Sequence, residues 1–219
     1  MAYPEAVLFD NDGLLLDTEA VWSRAEQKLF KERGREFTID HKRSLVGSSA
    51  EIAGRKLARF LDEPGREAAL MDELNDLVLA ELEGGVDAMV GARELVDLLR
   101  LAGVPIALVS NSPRRFIERS HEVAGTGLPF DAVVSGHEVP EAKPAPDAYL
   151  EACRLLEVEP GQRVIVLEDS PSGVTAAVAA GLFVIGIPSV PGIELERADL
   201  VAPSLESPVV LRALGVESG

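Results

Sequence analysis

Asp10 and Asp12 stand two residues apart at the end of a short apolar run, Ala6-Val7-Leu8-Phe9, and Gly13 turns the chain after them. Four apolar residues are too few for a helix and read as a buried strand of a parallel sheet. In an open parallel sheet, ligands bind in the crevice beyond the carboxyl ends of the strands, so both acids stand where a ligand is expected. Two carboxylates this close repel each other unless a cation lies between them or one is protonated. Taken alone, the segment fits a solvated acidic turn equally well. The other strands decide between the two.

Two of them end in residues suited to the same chemistry. Ile106-Ala107-Leu108-Val109 runs into Ser110-Asn111, and Ser112-Pro113 reads as an N-cap and first-turn pair. The helix this opens would offer free backbone N–H groups to a phosphate. Val164-Ile165-Val166-Leu167 runs into Glu168-Asp169, and Ser170-Pro171 repeats the device. Acids at the buried end of a strand are costly unless paired or bound to a metal. Asp10, Asp12 and Asp169 together make an oxygen-ligand set suited to Mg²⁺. Lys143, between Ala142 and Pro144-Ala145-Pro146, is a lone cation in a stiff loop. By itself it would be a solvated surface lysine; beside these acids it can pair with them and with a phosphoryl group.

These parts imply phosphoryl transfer. Asp10 attacks phosphorus and forms an aspartyl-phosphate, while the metal and Lys143 neutralise the equatorial oxygens. Asp12 is acid to the leaving oxygen and then base to the attacking water. Ser110 and the backbone N–H of Asn111 hold the phosphoryl oxygens.

The elements that must position these groups fall into two zones. Between residues 18 and 85 the pattern contains no strand. A helix capped by Asp17 or Thr18 runs to about Gly34, a shorter piece spans 38 to 47, Ser48 or Ser49 opens a third, and a fourth starts near Gly65. The fourth places Leu70, Leu74, Leu77, Val78 and Leu82 on one face. From residue 91 helices and strands alternate, the mark of a parallel sheet with right-handed crossovers. Further strands are expected at 132–134 and 183–187 and near 199–202, with helices at 147–156 and 171–180. Leu14-Leu15-Leu16 reads as a short apolar flap joining the zones.

Phe-Asp-Asn-Asp-Gly at 9–13, Val-Ser-Asn-Ser at 109–112, Lys-Pro-Ala-Pro-Asp at 143–147 and Leu-Glu-Asp-Ser at 167–170 resemble, in order, the four motifs of the haloacid dehalogenase-like hydrolase superfamily. The resemblance implies an α/β fold: a Rossmann-like parallel core with helices on both faces (1–16 and 87–219) and a small α-helical cap inserted after the first strand (17–86). It implies that Asp10, the backbone carbonyl of Asp12 and Asp169 ligate Mg²⁺, with Glu168 a possible direct or water-mediated contributor. True dehalogenases of the superfamily lack the second acid of the first motif, so Asp12 favours phosphoryl chemistry. Within the superfamily the likeness is to small-capped sugar-phosphate phosphatases and beta-phosphoglucomutase. The mutases usually carry histidine where Trp22 stands, and arginine where Ser48-Ser49-Ala50 lies. Only Lys42, Arg43 and Arg55 offer themselves for the second phosphate that a mutase must hold. The expectation is therefore a Mg²⁺-dependent phosphatase of small phosphorylated metabolites, with a phosphomutase as the alternative. Such an enzyme closes its cap over the substrate, on hinges near Leu15–Asp17 and Val86–Val90. Phospho-accepting receiver modules combine similar groups, but they place the lysine last and carry no such insert.

Composition narrows the partners. A net charge of −16, from 21 basic and 37 acidic residues, argues against nonspecific binding to nucleic acid or an anionic membrane. No secretory signal is expected, because the opening strand ends in acids and no basic region precedes it. Ser170 to Ile193 lacks charge, but Pro171, Gly173, Gly181, Gly186, Pro188, Pro191 and Gly192 interrupt it, which reads as a buried helix followed by a buried strand. One cysteine, Cys153, permits no internal disulfide and fits a reducing cytoplasm; its helix face makes it a buried structural thiol. His41, His121 and His137 have no spacing for zinc or a triad, and His137 reads as a loop residue. Trp22 suits core packing and substrate contact comparably. The oligomeric state is not readable from the sequence, and a monomer is compatible with it.

Overall fold

The computed structural model describes residues 3–216. Six strands form one parallel sheet: β1 (Ala6–Phe9), β2 (Ile106–Ser110), β3 (Ala132–Ser135), β4 (Val164–Glu168), β5 (Phe183–Gly186) and β6 (Leu200–Val201). Their order is β3-β2-β1-β4-β5-β6. The chain thus starts in the middle of the sheet and builds outward in both directions, with β1 paired to β2 on one side and β4 on the other. That reversal opens a crevice at the carboxyl end of β1.

Period-two alternation gives the sheet two apolar faces. Val7 and Phe9 face a layer made by α5 (Ala92–Leu101), α6 (Arg114–Ala124) and α9 (Pro208–Leu214), through Leu95, Leu99, Ile117, Val210 and Leu214. Ala6 and Leu8 face α7 (Asp147–Leu155) and α8 (Pro171–Ala179), through Tyr149, Ala152, Val174 and Ala177. This is the Rossmann-like α/β arrangement expected. α8 and β5 divide the uncharged 170–193 segment, and no described helix is long and apolar enough to cross a membrane. Cys153 lies buried in the α7 layer, as its helix face implied.

Between β1 and α5 stand α1 (Thr18–Lys31), α2 (Ile39–Leu45), α3 (Ala50–Leu61) and α4 (Glu67–Leu82). They bury a separate apolar cluster that includes Leu29, Phe30, Leu57, Leu70 and Leu82. The segments that enter and leave this insert run side by side. Asp17 N–H donates to Asp87 O and Met89 N–H to Leu15 O, each at 2.9 Å.

Three local readings differ from the sequence expectation. Pro113, not Ser112, occupies the N-cap place of α6, and no side chain caps that helix. The Ser112 hydroxyl has a stronger acceptor nearby, as described below. Leu14, Leu15 and Leu16 do not form a flap; they are buried in the same cluster as Phe9 and Leu95. The helix α9 has no counterpart in the sequence reading. Residues 1–2 and 217–219 of the expected core segments lie outside the described residues.

Candidate active site

The alternation along β1 continues one residue past its end. Asp10 turns to the side of Ala6 and Leu8, where α7 and the loop before it lie, and Asn11 turns to the side of α6. Asp10 is buried and meets Lys143, whose Nζ donates to Asp10 Oδ1 (2.6 Å), Val109 O (2.7 Å) and Glu168 Oε1 (2.7 Å). Three acceptors use the three N–H groups of an ammonium. Lys143 is thus no solvated lysine, and it has no donor left over for a phosphoryl oxygen. Its Nζ also lies 4.8 Å from the centre of the Tyr149 ring, and Tyr149 Oη donates to Glu168 Oε1 (2.7 Å). Asn111 fixes the lysine's backbone: its Oδ1 accepts from Lys143 N (2.9 Å) and its Nδ2 donates to Lys143 O (3.0 Å).

Burial raises the Asp10 carboxyl well above the usual range; Lys143 opposes this, and Glu168 and Asp12 add to it. Burial pulls the Lys143 ammonium down, but Asp10 and Glu168 outweigh it and hold its pKa above the lysine norm. Burial, Asp10, Glu168 and Glu19 raise the Asp169 carboxyl well above its norm, and the Ser189 hydroxyl bonded to Asp169 Oδ2 offsets part of this.

One oxygen each from Asp10, Glu168 and Asp169 lie within 4.8 Å of one another. Three buried carboxyl groups face a single ammonium, and this surplus of hard oxygen donors and negative charge fits a divalent cation such as Mg²⁺. Glu168 is already heavily bonded: besides Lys143 and Tyr149, its Oε2 accepts from Asp169 N, Ser170 N and Ser170 Oγ. It suits a supporting role, with Asp10 and Asp169 better placed to give oxygens to a cation. Gly173 makes room for it, because a Cβ there would overlap the Glu168 carboxylate. Gly13 is at φ +81°, and a Cβ there would lie 2.5 Å from Asp169 Oδ2.

Asp12 goes elsewhere. Its carboxylate accepts from Thr18 Oγ1 (2.8 Å) on Oδ1, and from Ser110 Oγ (2.8 Å) and Ser112 Oγ (2.9 Å) on Oδ2. The Asp12 carboxylate is not part of the acidic cluster, consistent with its backbone carbonyl being the atom expected to ligate. Ser110 differs from expectation too: its hydroxyl is buried, bonded to Asp12, and accepts from Ser112 N (2.9 Å). The groups of this strand end that line the cleft are Asn111 and Ser112.

The cleft holds about 800 Å³, including the part open to solvent, and the helical insert roofs it. Glu19, Trp22, Glu26 and Lys42 line the roof; Asp10, Asp12, Lys143 and Asp169 line the floor, with His137 at the side. Trp22 also packs on Phe116, ring centres 5.5 Å apart. Roof and floor are joined at Gly47, whose carbonyl accepts from Asn111 Nδ2 (3.2 Å) and from Ser172 Oγ.

His121, read from the sequence as unremarkable, is buried behind the site, its Nε2 2.9 Å from Asn11 Oδ1. Burial lowers its pKa to about 4, so the ring is neutral at pH 7. The ring braces the residue between the two acids. Only the alternation along β1, carried past the strand end, hinted that Asn11 would need such a partner. Tyr149 and Ser189 were missed for another reason: each contacts the site from a distant segment that no local pattern connects to it.

The buried acids and lysine thus lie at the switch point of a doubly wound sheet, where an α/β protein binds its ligand. The family model for haloacid dehalogenase-like hydrolases matches residues 4–181, and the chain belongs to that family. It is 33% identical over 207 residues to validoxylamine A 7'-phosphate phosphatase of Streptomyces hygroscopicus subsp. limoneus, covering 92% of this chain and 94% of that one. It is also 33% identical over 212 residues to hexitol phosphatase A of Escherichia coli (strain K12), covering 94% and 93%. Among solved structures, CbbY from Rhodobacter sphaeroides in complex with phosphate superposes with a TM-score of 0.80 at 28% identity, covering 97% of this chain and 99% of that one.

Proposed function

We propose that this chain is a Mg²⁺-dependent phosphatase of small phosphorylated metabolites, sugar or polyol phosphates foremost, acting through an aspartyl-phosphate on Asp10. The observation that carries this reading is the division of labour between the two acids. Asp10 is ion-paired with Lys143 and borders the cation cluster, whereas Asp12 is held apart by three hydroxyls. Relatives named as a validoxylamine A 7'-phosphate phosphatase and a hexitol phosphatase support the substrate class.

When bound, Mg²⁺ would be held by Asp10 and Asp169 and would draw negative charge from the transferring phosphoryl group. Asp10 Oδ attacks phosphorus, and Lys143, charged and fully bonded, fixes its carboxylate in one rotamer. Asp12 gives its proton to the departing alcohol oxygen, then takes one from the water that attacks the aspartyl-phosphate. Its three hydroxyl donors hold the carboxylate in place through both half-reactions. Residues 17–86 act as a cap that closes over the substrate, with the paired segments at 15–17 and 86–90 as its hinge. Closure excludes water from the first half-reaction.

The phosphomutase alternative needs a second phosphate site in the insert. Lys42 is instead paired with two carboxylates, Arg43 with Asp40, and Arg55 with Glu51. Free phosphate released from a panel of sugar and polyol phosphates, dependent on Mg²⁺ and abolished by chelation, is the expected result. Interconversion of hexose phosphates without release of phosphate would instead identify a mutase.

A further inference from the structure

The insert's charged contribution to the cleft comes from three side chains, Glu19 and Glu26 of α1 and Lys42 of α2. Positions 19 and 26 are seven apart and share a face of the helix. Lys42 Nζ lies 2.6 Å from Glu19 Oε2 and 3.1 Å from Glu26 Oε2, with side-chain exposures of 7% for the lysine and 15% and 4% for the two acids. One carboxylate would neutralise the lysine. The second carboxyl group is left buried with no cation of its own. Both acids and the lysine line the cleft.

Two carboxyl groups flanking an ammonium with a third N–H to give form an acceptor–donor–acceptor row. Adjacent hydroxyls, each both donor and acceptor, match such a row. A second phosphate or a carboxylate does not. It brings no donors, meets two acids that share a single cation, and reaches Lys42 only by displacing a buried acid. Arg43 and Arg55 offer no alternative, because neither lines the cleft: Arg43 Nε donates to Pro191 O (3.0 Å) and Arg55 pairs with Glu51 at the surface.

Building on the phosphatase reading, we infer that Glu19, Lys42 and Glu26 recognise the alcohol half of the substrate. They select monoesters of uncharged polyols and sugars and reject those carrying a second phosphate or a carboxylate. The two acids determine specificity by accepting from substrate hydroxyls, and Lys42 spaces them.

The test compares kcat/KM of the purified chain with Mg²⁺ on four compounds: a hexitol 6-phosphate, a hexose bisphosphate, a phosphorylated aldonic acid, and p-nitrophenyl phosphate, which has no hydroxyl to recognise. The wild type is expected to favour the hexitol ester over both charged esters by about tenfold or more, chiefly in KM. In the double variant Glu19→Gln, Glu26→Gln, which frees the ammonium, the ratio of bisphosphate to hexitol ester rises by about tenfold. Equal wild-type efficiency on charged and uncharged esters overturns the inference while leaving the phosphatase reading intact, and this needs no variant to fold. A double variant that still cleaves p-nitrophenyl phosphate but keeps the wild-type ratio overturns it as well. Failure of the wild type to cleave any of the four overturns the phosphatase reading and the inference with it.

Discussion

Two carboxylates separated by one residue take opposite environments because one points along the strand's alternation and the other leaves it. Asp10 enters a buried ion pair with Lys143, while Asp12 is held by Thr18, Ser110 and Ser112. Asp10→Asn keeps the volume and loses the nucleophile. Turnover is expected to fall by roughly 10⁴-fold or more, on the scale of other nucleophile deletions, in steady-state phosphate release. Activity within tenfold of wild type would remove Asp10 from that role. Gly173 tests the support beneath. A methyl there overlaps the Glu168 carboxylate, which holds both Lys143 and Tyr149. Gly173→Ala is expected to destabilise the chain by about 2–3 kcal/mol in urea unfolding, through overpacking beside a buried charged group. An unchanged midpoint would mean that Glu168 can move aside.

At the scale of elements, legibility followed locality. The strands β1, β2 and β4 were readable because each is a continuous apolar run that stops at polar residues, and a parallel sheet brings such ends together. The pairing of Lys143 with the acids needed only that the lysine's loop precede a helix packed on the Asp10 side of β1. What could not be read were contacts made by side chains far apart in sequence whose own surroundings carry no pattern. His121 looks like any helical histidine, and Ser112 looks like an N-cap until Asp12 competes for its hydroxyl. The junction of roof and floor is of the same kind. Gly47 is at φ +66° and presents its carbonyl to Ser172 and Asn111, which no helix or strand period announces. Ser172 touches no reacting group, so Ser172→Ala is expected to weaken the closed arrangement alone. KM should rise by a few fold, about what one hydrogen bond contributes, with little change in the chemical step measured by single turnover. A fall in the single-turnover rate with KM unmoved would contradict this.

For the molecule as a whole, two buried titrating groups oppose each other in their effect on stability. Burial lowers His121 to about 4 in the fold, against 6.5 in the unfolded chain. Between those values the unfolded chain binds the extra proton, so the stability this histidine contributes is lost as pH falls from 6.5 towards 4, by up to about 3 kcal/mol. Glu26 is the reverse case: burial raises its carboxyl from 4.5 to about 7, Lys42 opposing. Its contribution is intact below pH 4.5 and is lost as pH rises towards 7, by a similar amount of about 3 kcal/mol. The two windows overlap, so each slope is partly hidden by the other in the wild type. Single variants separate them. Urea unfolding across pH 4.5–7.5 should show Glu26→Gln gaining stability relative to wild type as pH rises, since Lys42 keeps Glu19 as a partner and no buried charge is stranded. His121→Gln should gain relative to wild type as pH falls. Stability differences that do not change with pH would show that the fold shifts neither group's pKa, and slopes of the same sign would show that one of the two environments is wrongly assigned.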